Sequence, residues 1–314
     1  MPLSTDPHTL AVSRDLIQAL DDLNGVHPGF RPAHAKGLML SGTFIPAHEA
    51  RLVTRAPHAQ RAETPVTVRF SDSAGFPTVA DNDAEHASPR GIAIRFQLGE
   101  HVHTDVIGHS INAFPTRTPE EFLEFLRAAH ASGPGVAKPT PVEAFLGTHP
   151  SALKFVTTPK PVPTSLAREA FFGVNAFQFT NAERRTHFGR YRIVPVLGTE
   201  YLDATALPAK TANFLFDEAA ERVAKSPIKF DIVVQLADSG DVTDDATVQW
   251  PEDRRIMNFG TLTLTAVVAN SASEEKHVIF DPIPRVDGIE PSADPLLDVR
   301  ASVYLMSGRR RRQA

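Results

Sequence analysis

The sequence has 314 residues, of which 42% are hydrophobic and 22% charged, an ordinary composition for a globular protein that can bury a full core. Lys and Arg number 32 against 37 Asp and Glu, and this net charge of −5 argues against a protein that binds nucleic acid or anionic lipid through a global basic surface. The absence of cysteine excludes disulfides, thiolate metal sites and cysteine nucleophiles.

The start of the chain carries no targeting pattern. Met1 to His8 contains no basic stretch followed by an apolar run, which a signal peptide would show. No uncharged apolar segment approaches the roughly 18 residues of a membrane span. We therefore expect a cytoplasmic protein that does not span a membrane.

A helix and a loop are predicted first. Apolar residues recur at helical spacing from Ser13 to Leu23, with Ser13 as the candidate N-cap. Gly and Pro bound the segment from Gly29 to Gly37, which predicts a loop leading into a strand from Leu38 to Phe44. His34 lies on this loop, where its ring is available to a site.

Three strands and a helix come next. Thr64–Phe70 and Gly91–Leu98 alternate apolar and polar residues with period two, which predicts half-buried strands, and Val102–Ile107 is predicted as a third. A capping box formed by Thr118 and Glu121, with a proline between them, predicts the start of a helix.

The middle of the chain is predicted to be irregular before it returns to strands. From Ser132 to Thr164 frequent prolines predict a long arm with one short helix near Val142 to Leu146. A polar turn at Glu183, between Phe172–Ala182 and Thr186–Val196, predicts a hairpin.

A helix from Leu207 to Lys225 and strands at Phe230–Leu236 and Gly260–Ala269 complete the pattern. Strands grouped in sequence, with helices between the groups, favour the α+β class with an antiparallel barrel.

The C-terminal segment carries the most chemical information. If the residues after Pro295 are helical, Arg300 and Tyr304 lie four residues apart on one face, where their side chains meet. A guanidinium favours the ionised phenolate, which would be an anionic ligand for ferric haem. Arg311 returns to the same face about two turns later and could contact a haem propionate. The alternative is a capped amphipathic helix with a solvated basic tail.

Five segments resemble haem catalases and occur in the order expected for that family, from about Pro28 to Arg311. They are the loop Arg31-Pro-Ala-His34-Ala-Lys-Gly37, the strand Thr67-Val-Arg69-Phe70-Ser71, the turn Pro89-Arg90-Gly91, the pair Trp250-Pro251, and Gly288-Ile-Glu-Pro-Ser followed by Arg300-x-x-x-Tyr304. The resemblance covers most of the chain.

The resemblance implies a role for each matching residue. Tyr304 would be the axial ligand of the haem b iron, next to Arg300. His34 would be the distal catalytic base, oriented by Ser71. The other cofactor-binding residues would be the arginines around the propionates, Arg31, Arg69 and Arg311, and the pocket phenylalanines, Phe114 and Phe122.

The resemblance also implies a catalase-like fold, an antiparallel eight-stranded β-barrel with surrounding helices. Haem would be buried between the barrel and the C-terminal helix that carries the tyrosine. We expect residues 1–314 to form a single haem-binding domain, with residues 1–27 as an N-terminal arm and 309–314 as a basic tail.

Three positions depart from the family pattern. His109 takes the place of the asparagine that acts beside the distal histidine, and a neutral imidazole divides between two nitrogens the donor and acceptor roles that a carboxamide combines. Asn112 is a candidate to replace the lost amide. Ala33 and Ser73 stand where catalases have bulkier valines, which predicts a wider pocket that admits organic donors.

The sequence stops soon after the tyrosine helix and resembles the small catalase-related peroxidases, so bound NADPH is not expected and a monomer or homodimer is compatible. We predict a haem peroxidase that reduces hydrogen peroxide or organic hydroperoxides with a small organic donor and has weak catalase activity. The alternatives are an enzyme that rearranges hydroperoxides, as catalase-like allene oxide synthases do, a haem-binding protein without turnover, and a cofactor-free barrel that serves as an interaction module.

Overall fold

The computed structural model describes residues 2–314 and contains one antiparallel sheet of ten strands. The strands are β1 (Gly37–Pro46), β2 (Thr64–Ser71), β3 (Gly91–Gly99), β4 (Val102–His109), β5 (Phe171–Phe172), β6 (Phe177–Thr180), β7 (Thr186–Pro195), β8 (Ile228–Leu236), β9 (Ile256–Val267) and β10 (Ile289–Pro291).

Eight of these strands close into a barrel. Their order is β7-β5-β4-β3-β2-β1-β9-β8, and β8 pairs back onto β7 through seven residue pairs from Gly189↔Leu236 to Pro195↔Phe230. β6 and β10 extend the sheet outward from β7. Closure leaves the eight barrel strands without a free edge. The predicted α+β class and the predicted eight-stranded barrel are confirmed.

Aromatic side chains fill the interior of the barrel. Because side chains alternate across a strand, the inward residues of β2 are Val66, Val68 and Phe70, all of which are buried. Six of the fully buried phenylalanines come from six different barrel strands: Phe44, Phe70, Phe96, Phe171, Phe230 and Phe259.

The outer face of β2 also becomes buried toward the end of the strand. Arg69 and Ser71 are on the face opposite to Phe70, yet only 4% of each residue is exposed. Parts of the chain outside the barrel therefore cover the outer face of β2 near Arg69 and Ser71.

Nine α-helices surround the barrel within residues 2–314. They are α1 (Pro7–Asn24), α2 (Ala50–Val53), α3 (Pro57–Gln60), α4 (Pro119–His130), α5 (Pro141–Thr148), α6 (Pro150–Thr157), α7 (Phe214–Lys225), α8 (Ser271–His277) and α9 (Leu296–Gln313). None of these helices is long and apolar enough to cross a membrane.

Helices α1, α4 and α9 pack together over the outer face of the barrel. Their shared apolar cluster comprises Val12, Leu16, Ala19, Leu123, Leu126 and Val299. Arg310 near the end of α9 donates to Asp21 near the end of α1, with Nη2 2.8 Å from Oδ1. The first and last helices of the fold are therefore joined by both apolar and ionic contacts.

Two helix boundaries differ from the predictions. Helix α1 begins at Pro7 instead of Ser13, because the Asp6 carboxylate caps the helix by accepting from the backbone N–H groups of His8 and Thr9. The predicted helix from Leu207 is interrupted. It begins as a short 3-10 turn, Leu207–Ala209, and helix α7 starts only at Phe214.

Tertiary hydrogen bonds account for that interruption. The Lys210 carbonyl accepts from the Asn82 amide at 3.0 Å, and the Ala212 carbonyl accepts from Lys36 at 2.8 Å. These contacts take carbonyl groups that a continuous helix would use internally.

The arm from Ser132 to Thr164 contains two helices, so the prediction of a single short helix was wrong. Both α5 and α6 begin at a proline, Pro141 and Pro150, where the missing N–H costs nothing. The predicted hairpin is confirmed as β6 and β7, which pair from Phe177↔Gly189 to Thr180↔Thr186.

His58 in α3 is a histidine buried among the apolar side chains of the barrel interior. Its ring lies among Phe44, Phe96 and Phe259, and neither ring nitrogen has a hydrogen-bond partner among residues 2–314. Burial, and secondarily Arg61, lowers its pKa to about 3.

We predict that His58→Leu flattens the pH dependence of stability below about pH 6.5. The unfolded chain protonates this histidine near its ordinary pKa of 6.5, whereas the folded protein keeps it neutral down to about 3. Stability is therefore lost as the pH falls through this window, by up to about 1.4 kcal/mol per pH unit for one proton. Urea unfolding between pH 4 and 7 measures the slope, and an equal slope in the variant would contradict the assignment.

Candidate functional site

A large cavity lies between the outer face of β2, β3 and β4 and the helices α1, α4 and α9. It encloses about 1500 Å³ of atom-free space, its open mouth included. Ten of its lining residues were predicted as catalytic or cofactor-binding residues: Arg31, His34, Arg69, Ser71, His109, Phe114, Phe122, Arg300, Tyr304 and Arg311. Residues spread over most of the chain therefore meet at one place.

Helix α9 supplies the tyrosine of the cavity. The four-residue spacing brings the Arg300 guanidinium to Tyr304, with Nη2 donating to the phenol oxygen at 3.2 Å. The other end of the guanidinium donates to Asn175 Oδ1, and Asn175 Nδ2 donates to Asp294 Oδ2 at 2.8 Å. Asp294 Oδ1 accepts from the backbone N–H of Leu296 at 2.9 Å, at the start of α9.

Sequence reasoning missed Asn175. It lies between β5 and β6, 125 residues before Arg300, and only the fold brings the two side chains together. Burial raises the pKa of Asp294, while Leu296, Asn175 and Arg300 oppose that change by stabilising the carboxylate. This chain of hydrogen bonds fixes the direction of the Arg300 side chain.

The barrel side supplies a histidine. His34 lies on the loop before β1 in the left-handed region, with φ 55°, and its backbone N–H donates to the Ser73 carbonyl at 2.9 Å. Its Nδ1 lies 3.0 Å from Ser71 Oγ at the end of β2. The pairing predicted for these two residues is present in the structure.

Gly91 makes room for this pair. A Cβ atom at Gly91 would lie 2.6 Å from Ser71 Oγ and 2.9 Å from His34 Nδ1. A side chain of any size at this position would therefore displace the histidine or the serine, which gives a physical reason for the glycine in the Pro89-Arg90-Gly91 turn.

A buried ionic cluster lies directly behind His34 and Ser71. Arg90, next to Gly91, donates to the carboxylate of Asp72, next to Ser71. Lys36 donates to Asp81 at 2.5 Å and lies 4.0 Å from Asp72. Burial raises the pKa of Asp72, although the Arg90 charge opposes this. The cluster anchors the backbone on both sides of the histidine pair.

Both imidazoles in the cavity are neutral. Burial, with further contributions from Arg69 and His109, lowers the pKa of His34 to about 3. Burial and the Arg300 charge lower the pKa of His109 to about 4. At neutral pH the cavity thus presents two uncharged imidazoles.

His109 has a defined tautomer. Its Nδ1 accepts from the backbone N–H of Ile111 at 3.2 Å, so in the neutral ring the hydrogen is on Nε2. His109 therefore offers a donor to the cavity and no acceptor. Asn112, the predicted replacement for the missing amide, is not among the residues that line the cavity. The chain bends at residues 110–113, after β4, and the next residue that lines the cavity is Phe114.

Three guanidiniums gather at one end of the cavity. Arg69 Nη2 donates to the carbonyls of His34 and Ala35, Arg31 Nη2 donates to that of Val278, and Arg311 donates to those of Lys276 and Val278. Burial, together with the charges of Arg69 and Arg311, lowers the pKa of Arg31. Arg311 is also buried, although it lies in the basic run at the end of the sequence.

One acidic side chain, not anticipated from the sequence, approaches this arginine cluster. Glu275 Oε2 accepts from Arg69 Nε at 2.6 Å and lies 3.7 Å from Arg31 Nη1. Glu275 is on α8, a helix that the sequence patterns did not predict.

Apolar side chains line the rest of the cavity. Phe114 and Phe122 lie 4.9 Å apart between ring centres. Ala33 lines the cavity, in agreement with its predicted place, whereas Ser73 does not, because its hydroxyl donates to the carbonyls of His86 and Ser88 at 2.9 Å.

Trp250 lies against Arg190, with the guanidinium 4.4 Å from its ring centre.

The fold and this arrangement define a class of barrel protein in which a tyrosine and a histidine line one cavity. Comparison with known proteins identifies the family. The sequence model of the family described as Catalase matches residues 10–314. The chain belongs to the catalase family.

Among curated proteins, the chain is similar to two named catalase-related peroxidases. It is 35% identical to that of Mycolicibacterium paratuberculosis, over 93% of this chain and 92% of the relative, and 34% identical to that of Synechococcus elongatus, over 93% and 86%. It is 28% identical to Catalase-2 of Bacillus subtilis, over 87% of this chain and 42% of that protein.

Solved structures agree on the fold. A fungal catalase superposes with a TM-score of 0.80 at 20% identity, over 94% of this chain and 62% of the other. A bacterial catalase superposes with a TM-score of 0.78 at 22% identity, over 99% and 62%.

The family implies a haem cofactor, and the cavity residues fit one. Arg31, Arg69 and Arg311 each keep at least one guanidinium nitrogen without a protein partner among residues 2–314, as two propionates would require. The phenol of Tyr304 has no partner other than Arg300 in the same residues, so its oxygen is available to iron.

We predict that Gly91→Ala destabilises the protein by about 1–3 kcal/mol, because the new methyl group overpacks the His34–Ser71 pair. Gly99→Ala is the matched control on the same strand, since its Cβ would meet nothing closer than 3.8 Å. Urea unfolding of both variants measures the difference, and a crystal structure of Gly91→Ala should show the 3.0 Å contact broken. Equal stabilities would contradict the close packing at Gly91.

Proposed function

We propose that this chain is a haem-dependent peroxidase that reduces hydrogen peroxide with an organic electron donor, with haem b held through Tyr304. One observation carries the proposal. A phenol that accepts a hydrogen bond from a guanidinium and a neutral imidazole paired with a serine line the same cavity. The relatives that match nearly the whole chain are named catalase-related peroxidases, which supports peroxide as the substrate.

Each part of the cavity has a task in this proposal. Tyr304 would ligate iron, with Arg300 limiting the negative charge on its oxygen. Arg31, Arg69 and Arg311 would bind the propionates. When bound, haem would supply an iron centre for two-electron redox chemistry between peroxide and the donor.

His34 moves the proton in this reaction. A neutral ring is needed for a base, and the low pKa of His34 keeps the ring neutral at physiological pH. Ser71 engages Nδ1, which leaves Nε2 as the nitrogen available to peroxide. The imidazole takes a proton from one peroxide oxygen and returns it to the other, which leaves as water. Two electrons and two protons from the donor complete the reduction to a second water.

His109 limits the competing catalase reaction. In that reaction a second peroxide is the reductant and must be positioned to give up two hydrogens. A carboxamide could donate to and accept from this molecule, whereas His109 offers only its Nε2 hydrogen. The small side chain of Ala33 in the cavity lining leaves space for a larger donor.

Two substitutions separate cofactor binding from catalysis. Tyr304→Phe should reduce bound haem by at least roughly tenfold, since the iron loses its protein ligand. His34→Ala should retain haem but lower the rate of peroxide-dependent donor oxidation by about 10² to 10⁴, the usual contribution of a general acid–base. Visible spectra with a haem assay measure the first effect, and stopped-flow oxidation of a phenolic donor measures the second.

Tyr201→Phe is the control for the first substitution, because Tyr201 is partly exposed and bonded to Glu169 away from the cavity. Unchanged pigment in Tyr304→Phe would refute the axial assignment. Full activity in His34→Ala would refute the catalytic role of His34. A wild-type protein that binds haem but does not oxidise the donor would point to haem binding without turnover. Conversion of a fatty-acid hydroperoxide without donor consumption would favour a rearranging enzyme instead.

We also predict that His109→Asn shifts the enzyme toward catalase activity. The ratio of oxygen release to donor oxidation should rise several-fold, because the amide restores an acceptor beside His34. An oxygen electrode and a donor assay on the same preparation give this ratio. His103→Asn, on the same strand but outside the cavity lining, should leave it unchanged. A constant ratio in His109→Asn would show that His109 does not control the choice of reductant.

A further inference from the structure

Glu275 makes the arginine cluster unusual. Among residues 2–314 it is the only acidic residue within ion-pair distance of Arg31 or Arg69, and Arg311 has no ion-pair partner there. The Glu275 side chain is 11% exposed. Its two oxygens are both engaged, Oε2 by Arg69 Nε at 2.6 Å and Oε1 by the Ser271 hydroxyl at 3.2 Å.

The charges in this part of the cavity can be counted. Arg31, Arg69 and Arg311 carry three positive charges, and Glu275 carries one negative charge. Two positive charges are left without a counter-charge within the protein, which is the number that the two propionates of haem supply. The protein with haem is balanced at this site, and the protein without haem is not.

Glu275 therefore acts in two opposite ways. Before haem binds, its carboxylate offsets the mutual repulsion of three buried guanidiniums, which is the repulsion that contributes to the lowered pKa of Arg31. With haem bound, Glu275 would be a third carboxylate among the arginines, would repel the propionates and would compete with them for Arg69, whose Nε it already accepts from.

We propose that Glu275 is an internal counter-ion that stabilises the haem-free protein and weakens its hold on the dianionic tetrapyrrole. The proposal rests on the proposed function, since it takes haem as the ligand. It explains why the carboxylate of Glu275 lies beside Arg31 and Arg69, two residues that would bind the propionate carboxylates.

Glu275→Gln tests the proposal because glutamine keeps the size and removes the charge, while its amide oxygen can still accept from Arg69 Nε and its NH2 group can donate to the Ser271 hydroxyl. The haem-free variant should unfold at a lower urea concentration than the wild type. Its complex should release haem more slowly, on the order of tenfold, because a charge of like sign a few ångströms from the propionates has been removed. Transfer of haem to excess apomyoglobin, followed in the visible spectrum, measures release.

Two controls isolate the charge at this position. Glu274→Gln changes the same charge on the neighbouring, exposed residue of α8 and should alter neither stability nor release. Haem dimethyl ester lacks the propionate charges, so Glu275→Gln should give no slower release with this ligand.

The outcomes are distinct. Faster or unchanged haem release from Glu275→Gln, relative to Glu274→Gln, overturns the proposal. A wild-type protein that binds no haem refutes the proposed function instead. If Glu275→Gln does not fold, Arg31→Gln/Glu275→Gln keeps the charge excess of the wild-type cluster and should fold. It should release haem more slowly than Arg31→Gln alone, and equal release would again overturn the proposal.

Discussion

The hydrogen bond from Arg300 to Tyr304 is the interaction on which the site depends. It is one link in a chain that continues through Asn175 to Asp294, and Asp294 in turn receives the first backbone N–H of α9. The chain ties the rotation of α9 to a loop of the sheet, so the tyrosine faces the cavity and no other direction. Each member is buried or half-buried, and loss of one would leave its neighbours without partners, which is costly in such surroundings.

Burial divides the cavity by charge. The same removal from water that keeps His34 and His109 neutral leaves guanidiniums charged, because arginine starts from a far higher pKa. Burial, and next the charge of Arg69, lowers the pKa of Arg311 only to about 10. Bases and donors for a neutral oxidant therefore lie at one part of the cavity, and fixed cations for an anionic ligand lie at another. Among the residues that the structure describes, Glu275 is the one acidic side chain in the cationic part, and its charge offsets some of the repulsion among the three guanidiniums.

Local patterns predicted much of this structure. Period-two alternation marked β2 and β3, the capping box marked α4, and four-residue spacing placed Arg300 against Tyr304. The contacts that could not be predicted join distant segments. Asn175 meets Arg300 from 125 residues away and Glu275 meets Arg69 from 206, and neither sequence position carries a signal of its own. The crowding at Gly91 likewise exists only because β2 and β3 pair there, Ser71 opposite Gly91. In the arm from Ser132 to Thr164 the prolines led to a wrong prediction of irregular structure, because Pro141 and Pro150 begin helices there.

The packing of α1 on α9 has a consequence for biosynthesis. Asp21 and Arg310 are 289 residues apart in sequence, yet both helices form walls of the same cavity, through Leu16 and Leu20 on one side and Val299 and Val303 on the other. The ribosome must therefore synthesise the chain as far as α9 before both walls of the pocket exist, and a shorter nascent chain cannot bind the cofactor in the final geometry. Cofactor insertion in this geometry then follows the synthesis of α9, and contacts of such high sequence separation make closure of the pocket slow compared with formation of the individual helices.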